Sequence, residues 1–191
     1  MSLTPNFTAV QSIGSPDSVQ LTDSSTGSDG AIVSRRVSFR LSNGNYLTLM
    51  AWVNISSFGI SEAFIHKDRH YTIAFYNNKQ ITYADSTNWS YANFGYHGSF
   101  TENVWYHIVA VKNSSNVKIY ANNSIVVSKT FGSATLNDTY NYNLSIGGYT
   151  SVNTLSQAFH GKIANVKIYN RALSANEVEQ NYNATKGRFG L

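Results

Sequence analysis

"FHGKIANVKIYNRALSANEVEQNY" (residues 159–182) changes its period halfway along. From Phe159 to Asn170 it reads as a long strand, and from Ser174 onward as a helix. Ser174 is a good N-cap, and Glu177 stands three residues on, the spacing of a capping box. Leu173 before the cap and Val178 at the fourth helical position fit a hydrophobic staple. Val178 and Tyr182 then share one face of about two turns, and Gly187 is placed to end the helix. A helix this short is unstable alone, so its apolar face must dock on a β core.

Working back along the chain, the β core declares itself. "NVWYHIVAVKNSSNVKIYANNSIVVSKTF" (residues 103–131) reads as a meander of three strands. Its turns fall at Asn113-Ser114-Ser115-Asn116 and at Asn122-Asn123. "EAFIHKDRHYTIAFYNNKQITYAD" (residues 62–85) gives three more strands, with polar turns at Lys67-Asp68-Arg69 and Asn77-Asn78. In "IVSRRVSFRLSNGNYLTLMAWVNI" (residues 32–55) the pair Asn43-Gly44 marks a hairpin between two strands. Val37, Phe39 and Leu41 alternate with Ser38 and Arg40 in the first of these. The second, Leu47 to Ile55, is apolar on both faces and should be central. "NWSYANFGYHGSF" (residues 88–100) reads as an edge strand or a structured loop. "YNLSIGGY" (residues 142–149) reads as a strand ending in a glycine pair, and residues 12–30 hold a short strand between turns. No helical period precedes residue 172, so the pattern is that of an all-β antiparallel sandwich or barrel.

Bulk properties agree and exclude several classes. The 13 tyrosines favour pleated surfaces, and an apolar share of 42% is enough for a core, which excludes a disordered chain. The net charge of +4 is spread over Arg35-Arg36, Lys112, Lys118, Lys129, Lys162 and Lys167 rather than gathered on one face. That reads as solvated surface and not as a nucleic-acid site. There is no cysteine, hence no disulfide and no thiolate metal site. No secretory signal pattern opens the chain and no apolar run reaches membrane-spanning length, so membrane insertion is not expected.

The segments 62–78, 103–123, 144–149 and 159–182 resemble, in order, laminin-G-like, concanavalin-A-like jelly-roll domains. The agreement is closest in Trp105-Tyr106-His107, Ile119-Tyr120, Gly147-Gly148, Phe159, Gly161 and the run from Ile168 to Ser174, and covers roughly residues 46–185. Asn122-Asn123 departs from the usual Asn-Gly, a mild change because Asn tolerates the left-handed conformation. The resemblance implies a two-sheet antiparallel jelly roll with one short C-terminal helix. Residues 46–186 would form the domain and 187–191 a tail. Residues 1–45 would be a strand-rich segment that either joins the sandwich or reaches out as a docking arm. Residues 3–37 also resemble the N-terminal segment of tailed-bacteriophage structural proteins, and residues 181–191 the end of phage-encoded jelly rolls. That implies a virion protein on the capsid or tail, assembled in the host cytoplasm, with other virion proteins and further copies of itself as partners.

Candidate sites follow from side-chain chemistry. Glycoside hydrolases on this fold set two carboxylates about 5–9 Å apart across one bond. Here the near pair Glu177 and Glu179 lies on a helix and diverges, while Glu62 and Glu102 are isolated in sequence, so no enzyme is expected. His66 and His70 have the His-x3-His spacing of a zinc site, but they flank a turn, and His107 reads as a hydrogen-bonded core histidine. Calcium is the accessory ion that the resemblance implies, with Asp68, Asp85, Asn137 and Asp138 as candidate oxygens. Sugar binding would use aromatic rings, which offer flat apolar faces and equally suit core packing. The candidates are Trp89, Tyr91, Phe94 and Tyr96 in one set and Tyr140, Tyr142 and Tyr149 in another. The expected function is non-catalytic: a virion decoration protein holding surface glycans, a carbohydrate-binding module of a cellular protein, or an assembly protein without a ligand.

Overall fold

The computed structural model describes residues 7–11, 18–23, 45–76, 79–86, 95–130, 136, 142–152 and 154–191. Two antiparallel sheets share one core. The larger runs β1 (Phe7–Gln11), β2 (Ser18–Asp23), β14 (Gly161–Tyr169), β3 (Tyr46–Ile55), β8 (Trp105–Asn113), β9 (Asn116–Ala121), β10 (Ser124–Thr130). The smaller runs β11 (Leu144–Ile146), β4 (Ser61–Lys67), β5 (Tyr71–Tyr76), β6 (Gln80–Asp85), β7 (Gly95–His97). A separate hairpin, β12 (Gly148–Ser151) and β13 (Thr154–Ala158), lies against β4. In the N-terminal segment β2 pairs with β14, so its described part adds two strands to the larger sheet. The expected strand around Val37, Phe39 and Leu41 and the turns at Asn43-Gly44 and Asn77-Asn78 lie outside the described residues.

β3 is central, as its two apolar faces require, with β14 on one side and β8 on the other. Leu47, Leu49, Ala51, Val53 and Ile55 point into the space between the sheets, against Phe64, Ile73, Phe75 and Ile81 of the smaller one. The meander β8–β9–β10 turns at Ser114 (φ 55°) and at Asn122 and Asn123 (φ 47° and 66°). Two successive left-handed residues make the type of turn that matches the twist of a hairpin, and Asn takes that conformation readily.

One charged pair crosses the apolar core. Lys112 of β8 and Asp85 of β6 are 2.9 Å apart, and both side chains are fully buried. The Tyr83 hydroxyl donates to the same Asp85 oxygen at 3.0 Å. Burial, with the Asp85 charge beside it, pushes the Tyr83 hydroxyl well above its ordinary value.

The outer face of β3 is closed by the C-terminal segment. Ser174 caps α1 (Ala175–Asn183): the Glu177 N–H donates to Ser174 Oγ, and the Ser174 N–H donates to Glu177 Oε2 at 2.8 Å. Arg171, 2.6 Å from Glu177, and these hydrogen bonds hold the Glu177 carboxyl down at about 2. Leu173 and Val178 are buried on Met50, Val109, Val111 and Tyr120, so the staple spans the helix start and the sheet together. Thr48 Oγ1 fastens the entry to the helix, donating to the Arg171 carbonyl at 2.8 Å and accepting from the Leu173 N–H at 3.0 Å. Beyond the helix, Trp52 stacks on Phe189 and Tyr182, with centroids 4.1 and 5.9 Å away, and its Nε1–H donates to Thr185 Oγ1 at 2.9 Å.

Two expectations need correction. Gly187 does not end the helix. α1 stops at Ala184 in a right-handed cap, Gly187 sits within a 3₁₀ turn (Lys186–Phe189), and Gly190 (φ 78°) takes the left-handed position. Thr185 explains this: its hydroxyl donates to the Asn181 carbonyl and is held by Trp52, which turns the chain back onto the sheet before Gly187. His107 is buried as expected, but its Nδ1 has no hydrogen-bond partner among the described residues. The ring is enclosed by Trp52 and Tyr182, 5.0 and 5.7 Å away. Burial, reinforced by the Lys167 charge, pushes it down to about 4.

Two measurements test this account. Asp85→Ala takes its carboxylate partner from a buried ammonium and is expected to lower the unfolding free energy in urea by about 3–5 kcal/mol. Replacing both partners, Asp85→Leu with Lys112→Met, is expected to restore most of that loss. His107 binds a proton less readily folded than unfolded. Its stabilising share is therefore full above about pH 6.5 and is lost as the pH falls towards 4. Between pH 7 and pH 5, His107→Phe is expected to lose about 2 kcal/mol less stability than the parent.

Candidate functional site

The turn between β4 and β5 and the β12–β13 hairpin meet at one end of the smaller sheet. Residues 67–70 form the turn, closed by the His70 N–H donating to the Lys67 carbonyl at 3.0 Å. His70 Nδ1–H donates to the Asp68 carbonyl at 2.7 Å, and the Ser86 N–H donates to the His70 carbonyl at 2.9 Å. Lys67, Asp68 and His70 are buried, whereas Arg69 at the tip is exposed and left-handed, with φ 57°.

The glycine pair sets the hairpin's approach. Gly147 (φ 84°) makes the bend after β11, its N–H donating to the Phe64 carbonyl at 3.1 Å. A Cβ on Gly148 would stand 2.5 Å from the Leu155 side chain and 2.7 Å from the Gln157 carbonyl, so the hairpin closes only around glycine. Two side chains of the β4 end then hold the hairpin. His66, on the opposite face of β4 from the core residue Ile65, donates Nε2–H to the Thr150 carbonyl at 2.8 Å. Asp68 Oδ2 accepts the Val152 N–H at 2.8 Å, at a residue that is itself left-handed (φ 48°). Burial pushes His66 down to about 4, against the opposing pull of the Thr150 carbonyl and the Asp68 charge. The neutral imidazole carries Tyr149, whose ring centroid lies 4.2 Å away at 31°. Tyr142, next to the strand that pairs with β4, has the Arg69 guanidinium 5.9 Å from its ring centre.

Of the sequence candidates, the structure therefore gathers Tyr142, Tyr149 and Asp68. Tyr96 lies on the edge strand β7, in register with Ile81 of β6. Trp89, Tyr91, Phe94, Tyr140, Asn137 and Asp138 lie outside the described residues. Asp85 sits in the core with Lys112, and Asp68 gives one oxygen to Val152. Among the described residues, then, the side chains do not assemble a calcium cage, and no group of three His, Cys, Asp or Glu could hold a metal. His66 and His70 flank the turn, each bonded to a different carbonyl. Glu62 accepts the His160 N–H at 2.8 Å and pairs with its ring at 2.9 Å, while Glu102 accepts the Phe58 N–H at 3.3 Å. Both carboxylates pin loops.

Sequence reasoning missed the part played by Arg69 and His66. The available signal was three successive charged or polar turn residues, Lys67-Asp68-Arg69, in a chain with only 13% charged residues.

A comparison with curated proteins finds no match. Among solved structures, a candidate carbohydrate binding protein from Bacteroides ovatus superimposes with a TM-score of 0.65 at 14% identity, over 85% of this chain and 54% of the other. The chain thus spans about half the length of that protein. The CBM40 of the Ruminococcus gnavus IT-sialidase, solved with α2,3-sialyllactose, gives a TM-score of 0.60 at 16% identity, covering 72% of this chain and 82% of the other. Domain 4 of the Geobacillus stearothermophilus arabinanase AbnA, solved with arabinotriose, gives 0.51 at 20% identity, covering 85% and 71%. At these identities the likeness is one of fold. The family model described as "Concanavalin A-like lectin/glucanases superfamily", of the laminin-G type, matches residues 20–179. With two antiparallel sheets, a capped C-terminal helix and that match over most of its length, the chain belongs to the laminin-G-like branch of the concanavalin A-like lectin/glucanase superfamily.

Proposed function

We propose that the chain is a non-catalytic carbohydrate-binding module whose site is the rim formed by the β4–β5 turn and the β12–β13 hairpin. The observation that carries the reading is the fixed presentation of Tyr149, half-buried over the neutral His66 on a hairpin tied at Thr150 and Val152. A sugar ring has apolar C–H faces and a polar edge, and an aromatic ring held in place meets the first at little entropic cost. Tyr142 at the same strand end offers a second ring, with the exposed Arg69 beside it. Neighbours of the same fold that were solved with sialyllactose and arabinotriose support the class of ligand.

The virion setting expected from residues 3–37 and 181–191 is no part of this reading. In the second of these stretches, Thr185 and Phe189 already have a structural reason, since both pack on Trp52.

A glycan array of the purified chain, followed by titration of the hits, tests the proposal. Tyr149→Ala is expected to weaken binding by about tenfold or more, the scale of a lost stacking contact plus its burial. Trp105→Ala, on the opposite sheet, is expected to leave affinity unchanged. Hits insensitive to both Tyr149→Ala and Tyr142→Ala would move the site elsewhere, and an array without hits on a multivalent display would sink the reading.

A further inference from the structure

We infer that Lys112 and Asp85 condense to an amide, so that the folded chain ties its two sheets together through an internal isopeptide bond.

Three observations lead to it. First, the reacting groups are already in contact. Lys112 Nζ lies 2.9 Å from Asp85 Oδ2, which brings the amine within reach of the carboxyl carbon. Each group stands on a strand paired on both sides, β8 between β3 and β9 in one sheet and β6 between β5 and β7 in the other. Ile81 and Tyr83 of β6 and Ile108 and Ala110 of β8 are core residues, so the pair is held in packed surroundings. Sheets packed face to face stand about 10 Å apart, a gap that one lysine joined to one aspartate spans. Second, the pair is dry, with both side chains 0% exposed. Taking two charges out of water often costs more than their attraction returns. Moving one proton from the ammonium to the carboxylate removes both charges and leaves the amine and acid from which an amide forms. An amide costs far less to bury than two ions, and the apolar core withholds the water that would hydrolyse it. Third, a proton donor is in place. The Tyr83 hydroxyl donates to the same Oδ2 at 3.0 Å, and its burial keeps it protonated.

No co-reactant is needed. The ammonium passes one proton to Oδ2, and the freed Nζ lone pair attacks Asp85 Cγ. Tyr83 then gives its hydroxyl proton to Oδ2 and recovers one from the nitrogen. The Cγ–Oδ2 bond breaks, Oδ2 leaves as water, and the new Nζ–Cγ bond keeps one hydrogen on nitrogen. The chain has no cysteine, so no disulfide could tie the sheets instead.

The intact mass of the whole chain, taken under denaturing conditions, reads the bond directly. After incubation at neutral pH the folded parent is expected to be lighter than its sequence by one water, whereas chain kept unfolded in urea retains the full mass. Trypsin is then expected to spare Lys112, whose amine is blocked, and to release residues 80–118 as one looped peptide. Lys112→Arg keeps a cation opposite Asp85 but has no amine nucleophile, and is expected to fold with its full mass. Tyr83→Phe is expected to link about a hundredfold more slowly, the scale of a lost general acid. Full mass in the folded parent would overturn the inference. So would a water loss that survives Lys112→Arg, or one that maps to Asp85 and Ser86 without Lys112, the mark of a cyclic imide. Linkage of Tyr83→Phe at the parental rate would remove the part given to Tyr83. The urea comparison of the charge-pair variants refers to the unlinked chain, which the same spectrum identifies.

Discussion

β3 is buried on both faces, and that single constraint organises the molecule. Its inner residues need a second sheet, which the smaller sheet supplies through Phe64, Ile73, Phe75 and Ile81. Its outer residues, Met50 and Trp52, need a separate cover, and a jelly roll has no third sheet to give. The C-terminal segment meets that need with α1 and the 3₁₀ turn, whose Val178, Tyr182 and Phe189 close over the strand. Fully burying a side chain as large as Trp52 is worth a few kcal/mol, and it would be forfeited if the segment came away. The capping box is thus more than a local device, because it sets the helix start from which the cover is aimed.

The two outer faces consequently take different roles. That of the larger sheet is closed by aromatic packing, with Trp52, His107, Tyr182 and Phe189 in mutual contact. The smaller sheet's outer side carries the row Ser145, His66, Thr72 and Ala84, small or polar residues against which a hairpin can lie closely. There the hairpin is held by polar links to His66 and Asp68 rather than by a large apolar patch. Polar links fix geometry with less burial, which leaves Tyr149 half-buried and Arg69 exposed.

What could be read in the sequence was what depends on near neighbours. The capping box spans three residues, the meander is a chain of tight turns, and the two-faced character of residues 47–55 is written in their composition. The site is not local. Thr150 reaches His66 across 84 positions, and Trp52 reaches Thr185 across 133. No periodicity encodes such pairings. The errors share this origin: Gly187 looked like a stop because nothing near it shows that Trp52 captures Thr185 first. Asp85 looked like a loop oxygen because its partner Lys112 stands on the other sheet. His107 shows the limit from another side, since position and alternation gave its burial but not that aromatic rings, rather than an acceptor, surround its Nδ1.

Asp68 shows how the fold gives rigidity to a surface turn. Turns normally follow their own local preferences, and the energy of a left-handed arginine would be released by a small change of backbone. Here the Asp68 carbonyl is held by His70 and its carboxylate by Val152, so the turn and the hairpin tip cannot relax independently. Relaxing either would strip a buried carboxylate of its donor, which costs more than the strain retained. The same coupling holds Tyr149 and Arg69 to one frame, although they come from segments 80 residues apart in the chain. A groove lined by mobile side chains would have to order itself around each ligand. A turn and a hairpin fixed by a shared buried acid have met that cost in folding.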